Sequence, residues 1–395
     1  MKIEPRTLKG FRDFLPKEAR KRQYVISILK KVFESYGFEP LETPALEYED
    51  ILMGKYGEEG DKLMYRFEDN GQRRVAMRYD QTVPLARVVA QYQNELPLPF
   101  KRYQIQNVWR AENTQKGRYR EFLQCDIDTV GERSIGCDAE ILSVVNSCLK
   151  ELGFTSYRIL INDRANFEGV DQSAILTIDK LKKIGADGVK QELREKGFDE
   201  GLLDTIEGKV PTELITILTK NLDITGDKIV YEPTLARGLD YYTGLIIEVE
   251  IEGPDVLSIG GGGRYDNLIG MFNGIDMPAV GFAFGFDRLI EAMEERSLFP
   301  NEFSTTKVLV TVPTPQLEEV SIAITQKLRD NGINVEVTLN SKSPMDKQYR
   351  YSEKKNIPYI VVPIDQNSVE LRTKSQAGEI VKKVVDINSL PDEII

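Results

Sequence analysis

The chain has 395 residues, more than one ordinary hydrophobic core accommodates, so two or three domains are expected. Its 52 Lys and Arg against 63 Asp and Glu leave a net charge of −11, which argues against a general nucleic-acid coat but leaves room for a local basic patch. Histidine is absent, which excludes Ser-His-Asp triads, Cys-His dyads and His-ligated metals and leaves catalysis to arginine, carboxylates, tyrosine or a bound metal ion.

In chain order, ARKRQYVISILKKVFESYGF (residues 19–38) predicts an amphipathic helix, because Val25, Ile28, Leu29, Val32, Phe33 and Tyr36 recur at steps of three and four. Gly37 suits its C-terminal cap. EPLETPALEYEDIL follows and reads as extended, with two prolines holding it so. LMYRFED and QRRVAMRYD flank Asn70-Gly71, a pair that favours a type I′ hairpin turn. TVPLARVVAQYQ predicts a helix from Thr82. FKRYQIQNVWRAE and GRYREFLQCDIDTVG predict two strands joined by a polar loop. DAEILSVVNSCLKELG predicts a second amphipathic helix with Asp138 as its N-cap.

Residues 166–228 change to a charged, helical, short-looped pattern and read as a small helical insertion. Strands return in KIVYEPTLARGLDYYTGLIIEVEIEG, VLSIGGGGRYDNLIGMF and PAVGFAFGFDRLIEAMEE, the last running into a helix. This order predicts a largely antiparallel sheet with helices, an α+β core. After RSLFPNEFSTTK, strands and helices alternate through VLVTVP, LEEVSIAITQKLRDNG, INVEVT, MDKQYRYSEKKN and PYIVVPI, as in a small α/β domain. The expected boundaries are 1–304 and 305–395.

No apolar run approaches the ~20 residues of a membrane span, and the N-terminal segment lacks the apolar core of a signal peptide. The expectation is a cytoplasmic protein with no membrane partner. Cys125, Cys137 and Cys148 form neither a disulfide framework nor a zinc pair and read as reduced thiols.

Four stretches carry chemistry. In RYDQTVPLAR, Arg78, Asp80 and Thr82 alternate and could share one face of a strand end, where an aspartate and a threonine would hold an ammonium group. Read alone, a solvated strand end is the plainer account. In VWRAENTQKGRYREFLQCDID, the residues Arg110, Glu112, Gln115, Lys116, Arg118 and Arg120 flank a loop around Gly117. Two arginines on neighbouring strands can grip a triphosphate, and Gln124, Asp126 and Asp128 share one side of the returning strand. A salt-bridged surface hairpin explains the same residues equally well. SIGGGGRYDNL allows close backbone approach to a ligand, or a tight bulged turn. GFAFGFDRLIEAM sets Gly285 and Arg288 at a strand-to-helix junction that favours an anion.

Together and in order, KGFRDFLP, RYDQTVPLAR, WRAENTQKGRYREFLQCDID, ARGLDYYTG, GGGRYDNL and GFAFGFDRL resemble the class II aminoacyl-tRNA synthetases, and within them the histidyl-tRNA synthetase family. The resemblance covers almost the whole chain. It implies a class II antiparallel sheet core, a helical insertion, a C-terminal anticodon-binding α/β domain and a homodimer formed through the first segment. It also implies that L-histidine and ATP give histidyl-adenylate, whose histidyl group passes to the 3′ end of histidine tRNA, with Mg2+ on the ATP phosphates and metal-binding residues undetermined.

The resemblance places Arg110 on the α-phosphate and substrate carboxylate, Arg237 opposite it, and Arg288 near the γ-phosphate. Glu112 and Arg118 join the ATP-binding set. Asp80, Thr82 and Gln124 match the residues that hold the α-amino group, and Gln81 belongs to the same histidine-binding set. Asp128 matches the carboxylate that accepts an imidazole N–H, and Tyr241, Tyr242 and Tyr265 would wall the ring. Asp240 reads as a structural partner rather than a base. The chain departs from the family where Leu123 replaces a frequent histidine, where ENTQ replaces ERPQ, at Gln81, where Gly or Leu is usual, and at Asp287, where Glu is usual. Two other readings stand beside this one. They are a non-catalytic regulatory paralogue that partners ATP phosphoribosyltransferase, and a tRNA-binding sensor built on an inactive synthetase.

Overall fold

The computed structural model describes residues 3–394 apart from 56, 115–116, 222–227, 238–240, 254–256, 301–304 and 375–378. Gln115, Lys116 and Asp240, singled out above, lie outside the described residues. Two units divide the chain, Met1–Phe299 and Pro300–Ile395.

In the first unit, the opening helix runs from Pro16 to Ser35 and buries Val25, Leu29, Val32 and Phe33. Each such side chain contributes about 1.5–3 kcal/mol relative to exposure. Pro16 suits the first helical position, where no amide partner is needed. Gly37 ends the helix at φ +78°, with its N–H on the Glu34 carbonyl and the Phe38 N–H on that of Phe33.

The strands of this unit are β1 (Glu39–Pro40), β2 (Leu46–Tyr48), β3 (Arg66–Glu68), β4 (Arg74–Met77), β5 (Phe100–Trp109), β6 (Glu121–Val130), β7 (Tyr157–Asp163), β8 (Ile229–Tyr231), β9 (Leu245–Ile251), β10 (Leu257–Arg264) and β11 (Ala279–Gly285). Eight form one sheet in the order β1-β5-β6-β11-β10-β9-β7-β8. Its outer pairs β1/β5 and β7/β8 are parallel, and the pairs between them are antiparallel. One sheet face carries the main core, where Tyr103, Cys125, Ile127, Ile247, Ile259 and Phe284 pack against helices Pro16–Ser35, Ile135–Glu151 and Phe286–Glu295. The free thiols of Cys125 and Cys148 lie in this core.

Three local expectations are corrected. The hairpin does turn on Asn70-Gly71, with the Gln72 N–H on the Asp69 carbonyl at 2.9 Å, but neither central residue has the positive φ of a type I′ turn. Glu68 pairs with Arg74, so five residues connect β3 and β4, and the positive φ falls on Gln72. The Asp69 carboxylate causes this by accepting the backbone N–H groups of Gly71 and Arg73, both at 2.9 Å. The last residues of EPLETPALEYEDIL are not extended, since Glu49–Leu52 makes a helical turn. Helix Ile135–Glu151 is capped by the Ser134 hydroxyl, not by Asp138. Asp138 lies buried in the first turn and holds Arg264 by two bonds of 3.1 and 2.8 Å.

Helices Gln172–Ile178, Leu181–Glu195, Leu202–Glu207 and Glu213–Asn221 occupy the stretch between β7 and β8. The first three share a small core of Ala174, Ile175, Ile178, Val189, Leu193, Leu203 and Ile206. Lys182 ties this layer to β9 through Glu248 and Glu250.

In the second unit, β12 (Val308–Val310), β13 (Val335–Val337), β14 (Tyr359–Pro363), β15 (Ser368–Lys374) and β16 (Ile380–Asp386) form a sheet in the order β13-β12-β14-β15-β16. The first three strands are parallel, as helices Glu318–Asp330 and Met345–Lys355 between them require. Val308, Val310, Ile324, Leu328, Val361 and Leu371 fill its core. Among the described residues, no helix of either unit is long and apolar enough to cross a membrane.

Candidate active site

The face of the large sheet opposite the main core opens into a cleft of about 900 Å³. Its floor follows from register. On β6, Gln124, Asp126 and Asp128 point into it and alternate with core-facing Cys125 and Ile127. Across the next two strands, Asp128 is level with Gly281 and Gly263, and Asp126 with Ala283 and Gly261. Small residues thus pave the floor between the acidic strand and Glu248 on β9.

SIGGGGR is therefore a strand, not a turn, and its glycines have separate reasons. A side chain at Gly281 would occupy the place of the Asp128 carboxylate, and one at Gly261 that of the Arg237 guanidinium. At Gly263 it would strike the Leu245 carbonyl first and then the Tyr242 ring at 2.8 Å. Gly262 points away from these groups, and a side chain there would strike the Gly281 carbonyl. Gly261→Ala should thus leave the melting temperature nearly unchanged, because a flexible guanidinium can move aside, but lower any activity that needs Arg237 by tenfold or more. Gly262→Ala meets fixed backbone and should destabilise by about 1–3 kcal/mol, read by chemical denaturation.

Asp80 does not stand at a strand end. β4 stops at Met77, and Asp80 Oδ1 accepts the N–H groups of Thr82 and Val83 at 3.1 and 3.2 Å, capping helix Thr82–Tyr92. Arg78 is not on a shared solvent face with it. It is buried and donates to the carbonyls of Asn107 and Thr43 at 2.7 and 2.6 Å.

Eleven of the residues expected at the site line the cleft: Asp80, Thr82, Arg110, Arg118, Gln124, Asp128, Arg237, Tyr241, Tyr242, Tyr265 and Arg288. Two do not. Gln81 is fully buried and donates its amide to the carbonyls of Gln106 and Gln124 at 2.8 and 3.4 Å, so it braces β5 and β6. Glu112 pairs with Arg118 at 3.6 Å outside the cleft lining.

The cleft has an acidic, tyrosine-walled part and a cationic part. In the first, Tyr241 packs edge-on against Tyr242 and Tyr265 at 5.0 and 5.8 Å between ring centres. Burial pushes the phenols of Tyr241 and Tyr265 well above their usual range, so both stay neutral and can donate. Asp128 is paired with Arg102 at 2.7 Å and accepts the Tyr265 O–H. Arg102 was not among the expected site residues, although it is the largest side chain here with no exposure at all. The signal was available, since Arg102, Gln104 and Gln106 alternate on β5 opposite Asp128, Asp126 and Gln124.

In the cationic part, Arg110 stacks over Tyr79 at 4.3 Å and donates to the Tyr79 carbonyl at 3.1 Å, which fixes its fork. Arg237 is steered by Glu248 at 3.3 Å. Arg288, in the first turn of helix Phe286–Glu295, donates to the Ser258 carbonyl at 3.0 Å. Burial, together with the like charge of Arg118, pulls the Arg288 guanidinium below its usual range. Cations gathered at a cost to one another mark a seat for a polyanion. Asp179 reaches the cleft from the insertion, and loss of hydration there pushes its carboxyl up to about 6 despite the pull of Arg237.

The family model of histidyl-tRNA synthetase matches residues 10–186 and 212–289. The chain belongs to the histidyl-tRNA synthetase family. An anticodon-binding-domain model matches residues 307–394. Histidine–tRNA ligases of Treponema denticola and Aeropyrum pernix are each 40% identical, over 90% of this chain and 88% and 89% of their own. The histidyl-tRNA synthetase structure from Nostoc superposes with a TM-score of 0.82 at 30% identity, covering 100% of this chain and 99% of that one. A Bacillus halodurans protein described as an ATP phosphoribosyltransferase regulatory subunit/histidyl-tRNA synthetase shares the fold at 21% identity, with a TM-score of 0.73 over 92% of this chain and 100% of that one. These matches bear out the family resemblance and the class II fold with its anticodon-binding domain.

Proposed function

We propose that this chain is a histidine–tRNA ligase that joins L-histidine to ATP as histidyl-adenylate and then esterifies the 3′ end of histidine tRNA. The observation that carries the reading is the two-part cleft, in which a tyrosine-walled acidic part continues into a set of arginines. An amino acid with a polar ring suits the first part and a triphosphate the second.

The nucleophile of the first step is the histidine carboxylate, already an anion, so a protein without histidine needs no base. The carboxylate oxygen attacks the α-phosphorus, the bond to the bridging oxygen breaks, and pyrophosphate leaves with its electron pair. What remains for the protein is positioning and charge stabilisation. In this scheme Arg110 and Arg237 flank the reacting phosphate, and Arg118 and Arg288 hold the outer phosphates. Asp80, Thr82 and Gln124 hold the α-ammonium group, and Asp128 takes an imidazole N–H. In the second step a terminal ribose hydroxyl attacks the acyl carbon and AMP leaves.

Among the described residues no group of three or more carboxylate or thiol ligands could cage a metal ion. Mg2+ therefore fits this site as an ion carried on the triphosphate oxygens, where it would neutralise part of their charge. Within the first unit, Tyr48 on β2 and Phe67 on β3 are exposed at 56% and 47%, which supports a homodimer formed through this segment.

The deciding measurement is ATP–pyrophosphate exchange, followed by charging of tRNA transcripts. Exchange should require histidine and should not occur with phenylalanine or glutamine, because a site that hydrogen-bonds ring nitrogens leaves its own polar groups unpaired around either competitor. No exchange at saturating histidine and Mg2+ would remove the reading.

A further inference from the structure

We propose that Asp126 is a second ring-reading residue of the histidine pocket, donating its carboxyl O–H to the bare imidazole nitrogen while Asp128 accepts the N–H of the other. This inference rests on the function proposed above and concerns the ring-binding half of the same cleft.

Asp126 offers an unsatisfied buried oxygen to the cleft, as Gln124 does two residues earlier on the same strand face. It lines the cleft, is 3% exposed, and its Oδ1 has no hydrogen-bond partner. Gln104, level with it on β5, gives its amide to Thr43 and Gln106 instead, at 2.8 and 2.6 Å. On β11 its level neighbour is Ala283, which offers no side-chain donor. A buried ionised carboxylate without a donor is far costlier than a neutral one.

The charged groups acting on Asp126 are Arg102 from β5, Asp128 from β6, Asp80 ahead of helix Thr82–Tyr92, Arg110 beyond β5, and Arg78 beyond β4. Arg102 is committed to Asp128, and Arg78 to main-chain carbonyls. Asp80 and Asp128 repel a further anion. Burial is the larger cause, and against the pull of Arg102 it pushes the Asp126 carboxyl well above the usual carboxylate range. Burial raises the Asp128 carboxyl as well, but there Arg102 at 2.7 Å and the Tyr265 O–H pull the other way. Two carboxyl groups on one strand face are thus unequally placed: Asp128 has a cation and a hydroxyl donor against it and suits an acceptor, whereas Asp126 turns an oxygen with neither toward the cleft and suits a donor.

That pair complements neutral imidazole, which has one N–H and one bare nitrogen. Same-face neighbours on a strand lie about 7 Å apart, enough for one five-membered ring with a hydrogen bond at each side. Imidazolium has no bare nitrogen to accept, so the pair selects the neutral ring.

Calorimetric titration of the full-length protein with L-histidine tests this without requiring turnover, and steady-state exchange supplies KM for histidine and for ATP. Asp126→Ala should raise the histidine dissociation constant tenfold or more and leave KM for ATP within about twofold. Asp126→Asn keeps an N–H donor and should bind histidine within about threefold of the parent. In the parent protein, histidine binding should weaken at high pH as Asp126 ionises and loses its donor; in Asp126→Asn only the limb from deprotonation of the substrate's own α-ammonium group should remain.

Asp126→Asn as damaging as Asp126→Ala, or equal loss for histidine and ATP, overturns the proposal. If Asp126→Ala does not fold, Asp126→Asn and the parent pH profile still decide. Histidine binding without exchange would defeat the ligase reading and leave this one standing. Normal exchange with unaltered binding by Asp126→Ala would do the reverse, and no histidine binding by the parent would overturn both.

Discussion

Arg237→Ala should lower histidine-dependent ATP–pyrophosphate exchange about a thousandfold while the protein stays folded. The cost corresponds to about 4 kcal/mol of transition-state stabilisation, the upper range for removing one preorganised group aimed at developing charge. Arg237 suits that role because its position is built. Glu248 steers it at 3.3 Å, and the missing side chain of Gly261 provides the space it occupies. Burial works against its charge, but Tyr242 and Glu248 more than offset this and raise its pKa above the ordinary value. Folding should survive the substitution because Glu248 retains Lys182 at 3.0 Å. The loss should therefore appear in kcat, with KM for histidine little changed. Arg237→Lys should recover only part of the rate, since an ammonium lacks the planar fork that spans two phosphate oxygens. An unchanged exchange rate in Arg237→Ala would take this residue out of the active site.

What was legible in the sequence follows from the range of each interaction. Alternation on β6 identifies Gln124, Asp126 and Asp128 as one face, because side-chain direction in a strand is a local property. Helix Pro16–Ser35 and its glycine cap are legible for the same reason. The hairpin and its Asn70-Gly71 turn were legible, but not the turn type: Asp69 captured two amides, and the positive φ moved past the pair onto Gln72. Asp138 was misread because Ser134, four residues earlier, also caps well, and the aspartate's partner, Arg264, is 126 residues away. The role of Arg102 needed register rather than composition. KRYQIQN displays its alternation openly, but only the pairing of β5 with β6 sets Arg102 against Asp128. The glycines of β10 show the same limit. Their density suggests close approach, but which group approaches each one is a property of the assembled sheet.

Asp128→Asn is the second substitution with a large expected effect, and it acts on two quantities at once. KM for histidine should rise about a hundredfold with KM for ATP nearly unchanged, because the ring loses a charged acceptor in a dry pocket. Stability should also fall by about 3 kcal/mol, since Arg102 has no exposure and would keep its charge without its counter-ion. The two losses can be separated. Replacing both members, with Arg102→Met beside Asp128→Asn, removes the orphan cation and should restore much of the stability, because an apolar substitute for a buried pair is often neutral or better. Histidine affinity should not return with it, since methionine supplies nothing that reads the ring. A double-mutant cycle on melting and on histidine KM therefore distinguishes a pair kept for folding from one kept for recognition. Strong coupling in stability, with histidine binding still lost in the double variant, assigns Arg102 to holding the charge and Asp128 to spending it on the substrate. Equal recovery of both would mean that Asp128 serves the fold alone.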